Sequence, residues 1–108
     1  MVISVLELVP DCNSRDSGKI VGEAIQLAFL ADGNIKVCFA GVEDVPSAFV
    51  NLAFVPLLEQ YALPEIRRRL QVVNSTRQIN EMIKRRLEFE AGRRKKRRTV
   101  GQSAFAAE

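Results

Sequence analysis

The sequence of 108 residues contains no histidine, and this narrows the chemistry open to the chain. Histidine is the commonest general base, the usual partner of a nucleophilic serine or cysteine, and the commonest zinc ligand. Most hydrolytic triads and zinc sites built from cysteine and histidine are therefore excluded. The phosphate-binding glycine motifs are missing too, since Gly18 to Gly22 gives only an isolated G-x-x-x-G. We expect no enzyme activity, no cofactor and no metal site.

The two cysteines point to reduced thiols rather than to a disulfide framework. Cys12 lies in a polar loop, and Cys38 lies in an apolar strand pattern, where a free cysteine is more often a small core residue than a reactive thiolate. No apolar stretch is long enough to span a bilayer, and the N-terminus lacks the basic start of a secretory signal. We expect a cytoplasmic protein without membrane contact.

Two further groups could carry chemistry at a turn that precedes a helix. Glu43 and Asp44 are neighbouring carboxylates, but residues in this position are more often turn and cap residues than an acid/base pair. Ser47 lies at the predicted start of the helix, where free N–H groups favour an anion or phosphoryl group. The alternative for Ser47 is a helix cap, which its position alone favours.

Charge is distributed unevenly along the chain. Residues 1 to 64 have three Lys/Arg and eight Asp/Glu, whereas residues 65 to 108 have thirteen and five. The basic side chains are candidates for contacting a polyanion, and nucleic acid is the alternative partner. They are Arg67, Arg68, Arg69, Arg93, Arg94, Lys95, Lys96, Arg97 and Arg98. No aromatic residue is interleaved with the block 93–98, so such binding would be insensitive to sequence, and the block could equally be a solubilising tail.

Hydrophobic patterns indicate alternating strands and helices. The predicted strands of this α/β chain are Val2 to Val9, Ile35 to Phe39, which we expect to be covered on both faces, and Leu70 to Val73. Asp16 to Leu30 is a predicted helix whose broad buried face combines the rows Ile20-Ala24-Ala28 and Val21-Ile25-Phe29. Pro46 to Tyr61 is a second, largely buried helix with the row Phe49-Ala53-Leu57 and a kink or early end at Pro56. A third helix opens at a capping-box pattern, Ser75 to Gln78, repeats Ile79, Ile83 and Leu87 on one face, and runs to about Glu90. The order β-α-β-α-β-α implies right-handed crossovers and a sheet with helices packed on it. Residues 1–91 form one predicted domain, and residues 92–108 a disordered basic tail.

Three segments resemble the STAS-like family, which is related to bacterial anti-sigma-factor antagonists. They are Ser14 to Gly18, Val37 to Val42 and Val45 to Phe54, and the resemblance extends over roughly residues 2 to 88. It implies a small mixed sheet of three to four strands with helices on one side. The sequence departs from the antagonist pattern at Pro46, where an acidic residue is usual, at Ala48, where the phosphoacceptor serine usually lies, and at Cys38, which is often aspartate.

The resemblance also implies a regulatory protein-interaction module, active in signalling or transcription regulation. Its expected partner is a protein, with a histidine-kinase-like ATPase or another regulator as the implied class, and phosphorylation is carried over only to Ser47. The expected partner-binding residues lie in the turn and helix start 41–54. They are Gly41, Val42, Glu43, Asp44, Ser47, Phe49 and Asn51. The sequence leaves the oligomeric state open.

Overall fold

The computed structural model describes the backbone of residues 1–31 and 33–106 and the side chains of residues 1–31 and 33–93. Within these residues the elements, in chain order, are β1 (Val2–Ser4), α1 (Val5–Leu8), α2 (Arg15–Leu30), β2 (Ile35–Cys38), α3 (Ser47–Ala53), a 3₁₀ helix (Val55–Glu59), α4 (Leu63–Arg69), β3 (Leu70–Val73) and α5 (Arg77–Ala106). The predicted α/β fold is confirmed. No helix among the described residues is long and apolar enough to cross a bilayer.

The described strands form one sheet in the order β1-β2-β3, with both pairings parallel. The register aligns Ile3 with Val37 and Val37 with Val72, and these side chains face the helices. Lys36, one residue before Val37 on β2 and on the opposite face of the sheet, is exposed. The sheet is therefore covered on one face, and the interpretation of β2 as a strand buried on both faces is wrong. The mixed sheet expected from the resemblance is a parallel one over the described residues.

The first strand is shorter than the sequence predicts. Only Val2–Ser4 is extended, and Val5–Leu8 forms a helical turn. Val5 and Val9 are both buried, and the Val9 N–H bonds the Val5 carbonyl oxygen. Residues four apart lie on one face of a helix, whereas in a strand Val5 and Val9 would share their face with Glu7, which is exposed. The strand prediction for the second half of this run is wrong.

Helix α2 packs on α3 through its two glycines. A Cβ atom built on Gly18 would lie 2.6 Å from the carbonyl oxygen of Phe49, and one built on Gly22 would lie still closer to that of Leu52. Glycine is the residue that permits such an approach, because any side chain would meet the backbone of α3. The G-x-x-x-G spacing, set aside in the sequence as uninformative, thus specifies the contact that orients α3.

Pro56 ends α3 early, as predicted. The α-helix stops at Ala53, and the chain continues as a 3₁₀ helix with Pro56 in its first turn. Residues 63–69 form α4, which the sequence patterns did not indicate. The last helix begins at Arg77, close to the predicted start, and its stripe of Ile79, Ile83 and Leu87 is buried as expected.

The structure describes only part of the C-terminal region to which the predictions apply. The backbone of α5 is helical through Ala106, beyond the predicted end near Glu90. The side chains of residues 94–106 and the whole of residues 107 and 108 lie outside the described part of the chain. Disorder of the free tail 92–108, and the division at residue 91, stay predictions.

Candidate docking site at the carboxyl edge of the sheet

The candidate site lies where the three parallel strands end. Ser4, Cys38 and Val73 are aligned in register at this edge. Helix α1 and the loops that follow β2 and β3 therefore meet here. In open parallel sheets, ligands and partners commonly bind outside the carboxyl ends of the strands.

A tight turn starts the loop after β2. The Val42 N–H donates to the carbonyl oxygen of Phe39 at 2.9 Å. Gly41, the third residue of this turn, has a φ of +88°, a value that glycine adopts without strain and that suits this position of a type II turn. A Cβ atom there would also lie 2.9 Å from the Leu6 Cδ1 atom. Gly41 is thus required for the shape of the loop.

Two side chains from the start of α5 fix the rest of this loop. The Thr76 hydroxyl donates to the carbonyl oxygen of Glu43 at 2.8 Å. The Gln78 side chain accepts from the Val45 N–H at 2.9 Å and donates to the Val45 carbonyl oxygen at 3.0 Å. Glu43 and Asp44 remain exposed. The backbone is therefore fixed while two carboxylates are presented to solvent, an arrangement that lowers the entropic cost of binding a partner.

The same contacts correct the predicted capping box. Thr76, not Ser75, caps α5, since its hydroxyl oxygen accepts from the Ile79 N–H at 3.2 Å. Gln78, expected to reach back within the helix start, instead binds the loop after β2. The sequence pattern located the helix start within one residue but did not reveal this tertiary contact.

Ser47 is the first residue of α3, and its side chain does not cap the helix. The N-cap position belongs to Pro46, which has no side-chain hydrogen bond to give. Ser47 is exposed, and its hydroxyl makes no hydrogen bond among the described residues. The capping interpretation, which position alone favoured, is wrong, and the hydroxyl is accessible from solvent.

The remaining predicted binding residues have mixed surroundings. Val42 is half-buried, whereas Phe49 is fully buried and packs edge-on against Phe39 with 6.3 Å between ring centroids. Asn51 accepts a hydrogen bond from Arg86 of α5 at 2.8 Å. Phe49 therefore belongs to the core, and Asn51 links α3 to α5. The exposed surface is formed by Gly41, Glu43, Asp44 and Ser47, with Val42 at its edge.

A cleft of about 290 Å³ separates the loop after β2 from α1 and the loop that follows α1. Leu6 and Pro10 give it an apolar wall, and Asp11, Glu43 and Asp44 place carboxylates around it. The described residues that line it include no lysine or arginine. Among the described residues, no group of three or more Cys, Asp and Glu side chains could hold a metal ion.

The two thiols differ in their surroundings. The Asn74 side-chain amide donates to the Cys38 Sγ atom at 3.2 Å, and this hydrogen bond, with a second from the Ala40 N–H, lowers the pKa of the Cys38 thiol. Cys12 is buried, and burial together with the charge of Asp11 raises the pKa of its thiol to about 11. Cys38 is thus a half-exposed thiol at the carboxyl edge rather than the core residue that its strand pattern favoured.

Most of the described basic side chains near the predicted polyanion site already have internal partners. Arg69 bonds the carbonyl oxygens of Phe29 and Gly33 at 2.7 and 3.1 Å and stacks over the Phe29 ring at 4.5 Å from its centroid. Arg67 pairs with Glu88 at 2.6 Å. Arg69 is therefore structural, and Arg68 is the member of its triplet that is exposed without an internal bond among the described residues.

Within the basic block 93–98, Arg93 is the one residue whose side chain lies in the described part of the chain. Arg93 pairs with Glu90 at 3.4 Å and lies 5.9 Å from the Phe89 ring centroid. The predicted polyanion contacts of the block from Arg94 to Arg98 fall on side chains outside the described part of the chain. Their role stays a prediction.

Comparison with known proteins agrees with this architecture. The model of a family described as a STAS-like domain of unknown function matches residues 17–80. The match includes α2 with its two glycines, β2, the loop after it, α3 and the first residues of α5. Searches among curated proteins and among solved structures give no significant match. Since the family model covers more than half of the sequence, the chain belongs to the family of STAS-like domains of unknown function.

Proposed function

We propose that the protein is a cytoplasmic, non-enzymatic regulatory module that binds another protein through the loop after β2 and the start of α3. We define this docking surface by Gly41, Glu43, Asp44 and Ser47. The proposal rests on one observation: the loop is exposed but its backbone is fixed from α5 by Thr76 and Gln78. A preorganised loop loses little conformational freedom when a partner binds.

The charge of the docking surface indicates what the partner presents. Glu43 and Asp44 are exposed, Asp11 lies across the cleft, and none of the basic side chains that the structure describes lines it. A partner surface with lysine or arginine would be steered toward these carboxylates and would bind more weakly as salt is added. The family resemblance adds a class of protein, a histidine-kinase-like ATPase or another bacterial regulator.

Ser47 extends the proposal to regulation by phosphorylation. Its hydroxyl is exposed and free of hydrogen bonds among the described residues, so a kinase could reach it. A phosphate there would add nearly two negative charges within a few residues of Glu43 and Asp44. We expect this to change the affinity of a partner that docks on the same surface.

The proposal is tested by capturing partners from a nuclease-treated lysate of the native host with the full chain. The double substitution Glu43→Lys and Asp44→Lys should abolish capture of any specific partner, because it reverses the charge of the exposed loop without touching its backbone bonds. The matched control is Glu23→Lys with Glu59→Lys, two exposed carboxylates on other elements. Equal capture by both double variants would refute the proposal.

A second measurement addresses Ser47 directly. Once a partner is identified, the chain is incubated with it and ATP, and Ser47 is examined by mass spectrometry. Phosphate at Ser47, with weaker binding of Ser47→Asp than of Ser47→Ala, would support the regulatory part. Unmodified Ser47 would refute regulation by phosphorylation without affecting the proposal that the surface binds a partner.

Nucleic acid is the alternative partner, and it would use the basic end of the chain. That binding should weaken steeply with salt and be insensitive to base sequence. Full affinity in a chain ending at Gly92 would exclude the tail from it. The charge reversal in the loop after β2 separates the two functions, since it should strengthen, not weaken, attraction of a polyanion.

A further inference from the structure

Within the described part of the chain, no strand pairs with the outer edge of β3. The Phe39 N–H donates to the Val73 carbonyl oxygen at 3.0 Å, so Val73 and, two residues earlier, Gln71 direct their backbone groups toward β2. Backbone direction alternates along a strand that pairs in parallel, and Val72 therefore directs its N–H and carbonyl oxygen away from the sheet. Neither group has a hydrogen bond among the described residues. This edge is open to another strand.

An apolar groove runs directly beside the open edge. It has a volume of about 170 Å³ and lies between α4, β3 and α5. Leu70 and Val72 form its side toward the sheet, Ile66 lies on α4, and Ile83 and Leu87 lie on α5. A strand added to β3 would project every second side chain toward the helices, at the mouth of this groove. The volume suits one aliphatic anchor rather than a large ligand.

The charges at the groove favour an acidic partner. Arg67, Lys84 and Glu88 lie around it, and Arg67 and Glu88 neutralise each other in a pair at 2.6 Å whose side chains are 57% and 44% exposed. Among the described residues Lys84 forms no ion pair, and the exposed Arg68 follows Arg67 on α4. A carboxylate beside the anchor would be attracted to these cations.

We propose that the β3 edge and its groove are a second docking site, which takes an extended partner segment with an aliphatic anchor and flanking acidic residues. The segment would add a strand beside β3, with backbone bonds to Val72 and its anchor in the groove. Addition of a strand to an exposed edge is a recurring mode of peptide recognition, in which main-chain bonds supply affinity and pockets supply specificity. This site is distinct from the docking surface and does not depend on its function.

The probe is a displayed library of short peptides with alternating aliphatic positions and glutamate flanks, selected on the full chain. A matched library carries lysine flanks. We expect binders from the glutamate library only. Because acidic peptides could also bind the basic C-terminal block, each selected peptide is then tested on variants of the edge.

The decisive variant is Val72→Pro, which removes the outward N–H and leaves the bonds to β2 in place. Loss of one backbone bond with its partner left unpaired should weaken peptide binding about tenfold. Val2→Pro is the matched control on the opposite edge of the sheet. The Lys36 N–H donates to the Met1 carbonyl oxygen at 2.8 Å, so Met1 directs its carbonyl toward β2 and the next residue, Val2, directs its backbone groups away from the sheet. Folding of both variants is checked by thermal unfolding.

The contribution of the positive charge at the groove is tested with two substitutions on α5. Lys84→Glu should weaken the acidic peptide, whereas Arg85→Glu, exposed but outside the groove, should have a smaller effect. Amide exchange gives a readout independent of affinity, since the Val72 N–H should become protected when peptide binds. If Val72→Pro is unfolded, protection of the Val72 N–H in the unsubstituted chain tests the proposal instead.

Three results would overturn the proposal. They are a glutamate library without binders, equal loss of binding in Val72→Pro and Val2→Pro, and an unprotected Val72 N–H in the complex. A fourth would reassign the edge: concentration-dependent dimers that disappear in Val72→Pro would show a second copy there instead of a partner segment.

Discussion

Replacing Gly22 with alanine places a methyl group where α2 and α3 approach each other. The added carbon would lie 3.2 Å from the Ala53 Cα atom and nearer still to the carbonyl oxygen of Leu52. Both neighbours are backbone atoms, so rotation of a side chain cannot relieve the overlap. The two helices must move apart, which loosens the packing that orients α3.

Two opposing effects set the magnitude. Alanine is favoured over glycine in a helix interior by about 1 kcal/mol. Adding a methyl group to a close-packed contact costs about 1–3 kcal/mol, and a backbone clash belongs at or above the upper end of that range. We expect Gly22→Ala to lower the free energy of unfolding by about 2 kcal/mol, a decrease of about 10 °C in Tm for a domain of this size.

The assay is urea and thermal unfolding followed by circular dichroism. Gly92→Ala is the matched control, because Gly92 also lies in a helix but an added carbon there meets nothing within 4 Å. It should be neutral or slightly stabilising, as helix propensity predicts. A Gly22→Ala protein as stable as the unmodified chain would show that α2 and α3 are not held at this distance.

Further predictions concern three other sites. Arg69→Ala should cost about 2–3 kcal/mol, because it removes charge-assisted bonds to two carbonyl oxygens and the stacking on Phe29, while Arg68→Ala should be near neutral in the same unfolding assay. Gln78→Ala should cost about 1–3 kcal/mol by leaving both backbone groups of Val45 unpaired, and amide exchange of the loop after β2 should become faster. Alkylation with iodoacetamide should label Cys38 before Cys12. Its rate should begin to rise at a lower pH, because the thiolate reacts and the pKa of Cys38 is lowered while that of Cys12 is raised to about 11.

The sequence was informative where one periodicity extended over several turns. The stripe of Ile79, Ile83 and Leu87 and the row Val21, Ile25 and Phe29 on α2 are buried as predicted, whereas Ile20, which the predicted buried face of α2 also included, is exposed. It misled where the apolar run was short, since Val2 to Val9 is rich in β-branched residues and its length fits a strand or a helical turn equally. Helix α4 was missed because Ile66 is its one fully buried side chain, so no period is visible; Pro64 in its first turn was the available signal.

The sequence signals of a turn and a helix start located the candidate site, but they did not indicate the contacts from α5 that hold its loop in place. Gly41 and the exposed Glu43, Asp44 and Ser47 could be named because glycine and acidic residues before a helix are local signals. The bonds from Thr76 and Gln78 join residues 33 positions apart, and nothing in either local pattern indicates them. Phe49 was named as a binding residue although it begins an apolar row with Ala53 and Leu57, and all three side chains are buried.

Helix α5 connects the two proposed surfaces. Its first turn fixes the loop after β2 through Thr76 and Gln78, Arg86 bonds Asn51 of α3, and Lys84 and Leu87 line the groove beside β3. A segment that enters the groove would therefore contact the same helix that fixes the docking surface. Coupling requires that the segment bind one position of α5 better than another, since a ligand with equal affinity for both shifts nothing.

This coupling has a measurable and reciprocal form. If the groove segment shifts α5, the affinity of the partner for the docking surface changes when a groove peptide is present, and the affinity of the peptide changes by the same factor when the partner is present. Gln78→Ala should reduce that factor, because it breaks the connection between α5 and the loop while leaving the groove residues in place. Unequal factors in the two directions would mean that the peptide also binds at a site other than the groove. A factor of one would mean that α5 is a rigid support for two independent sites.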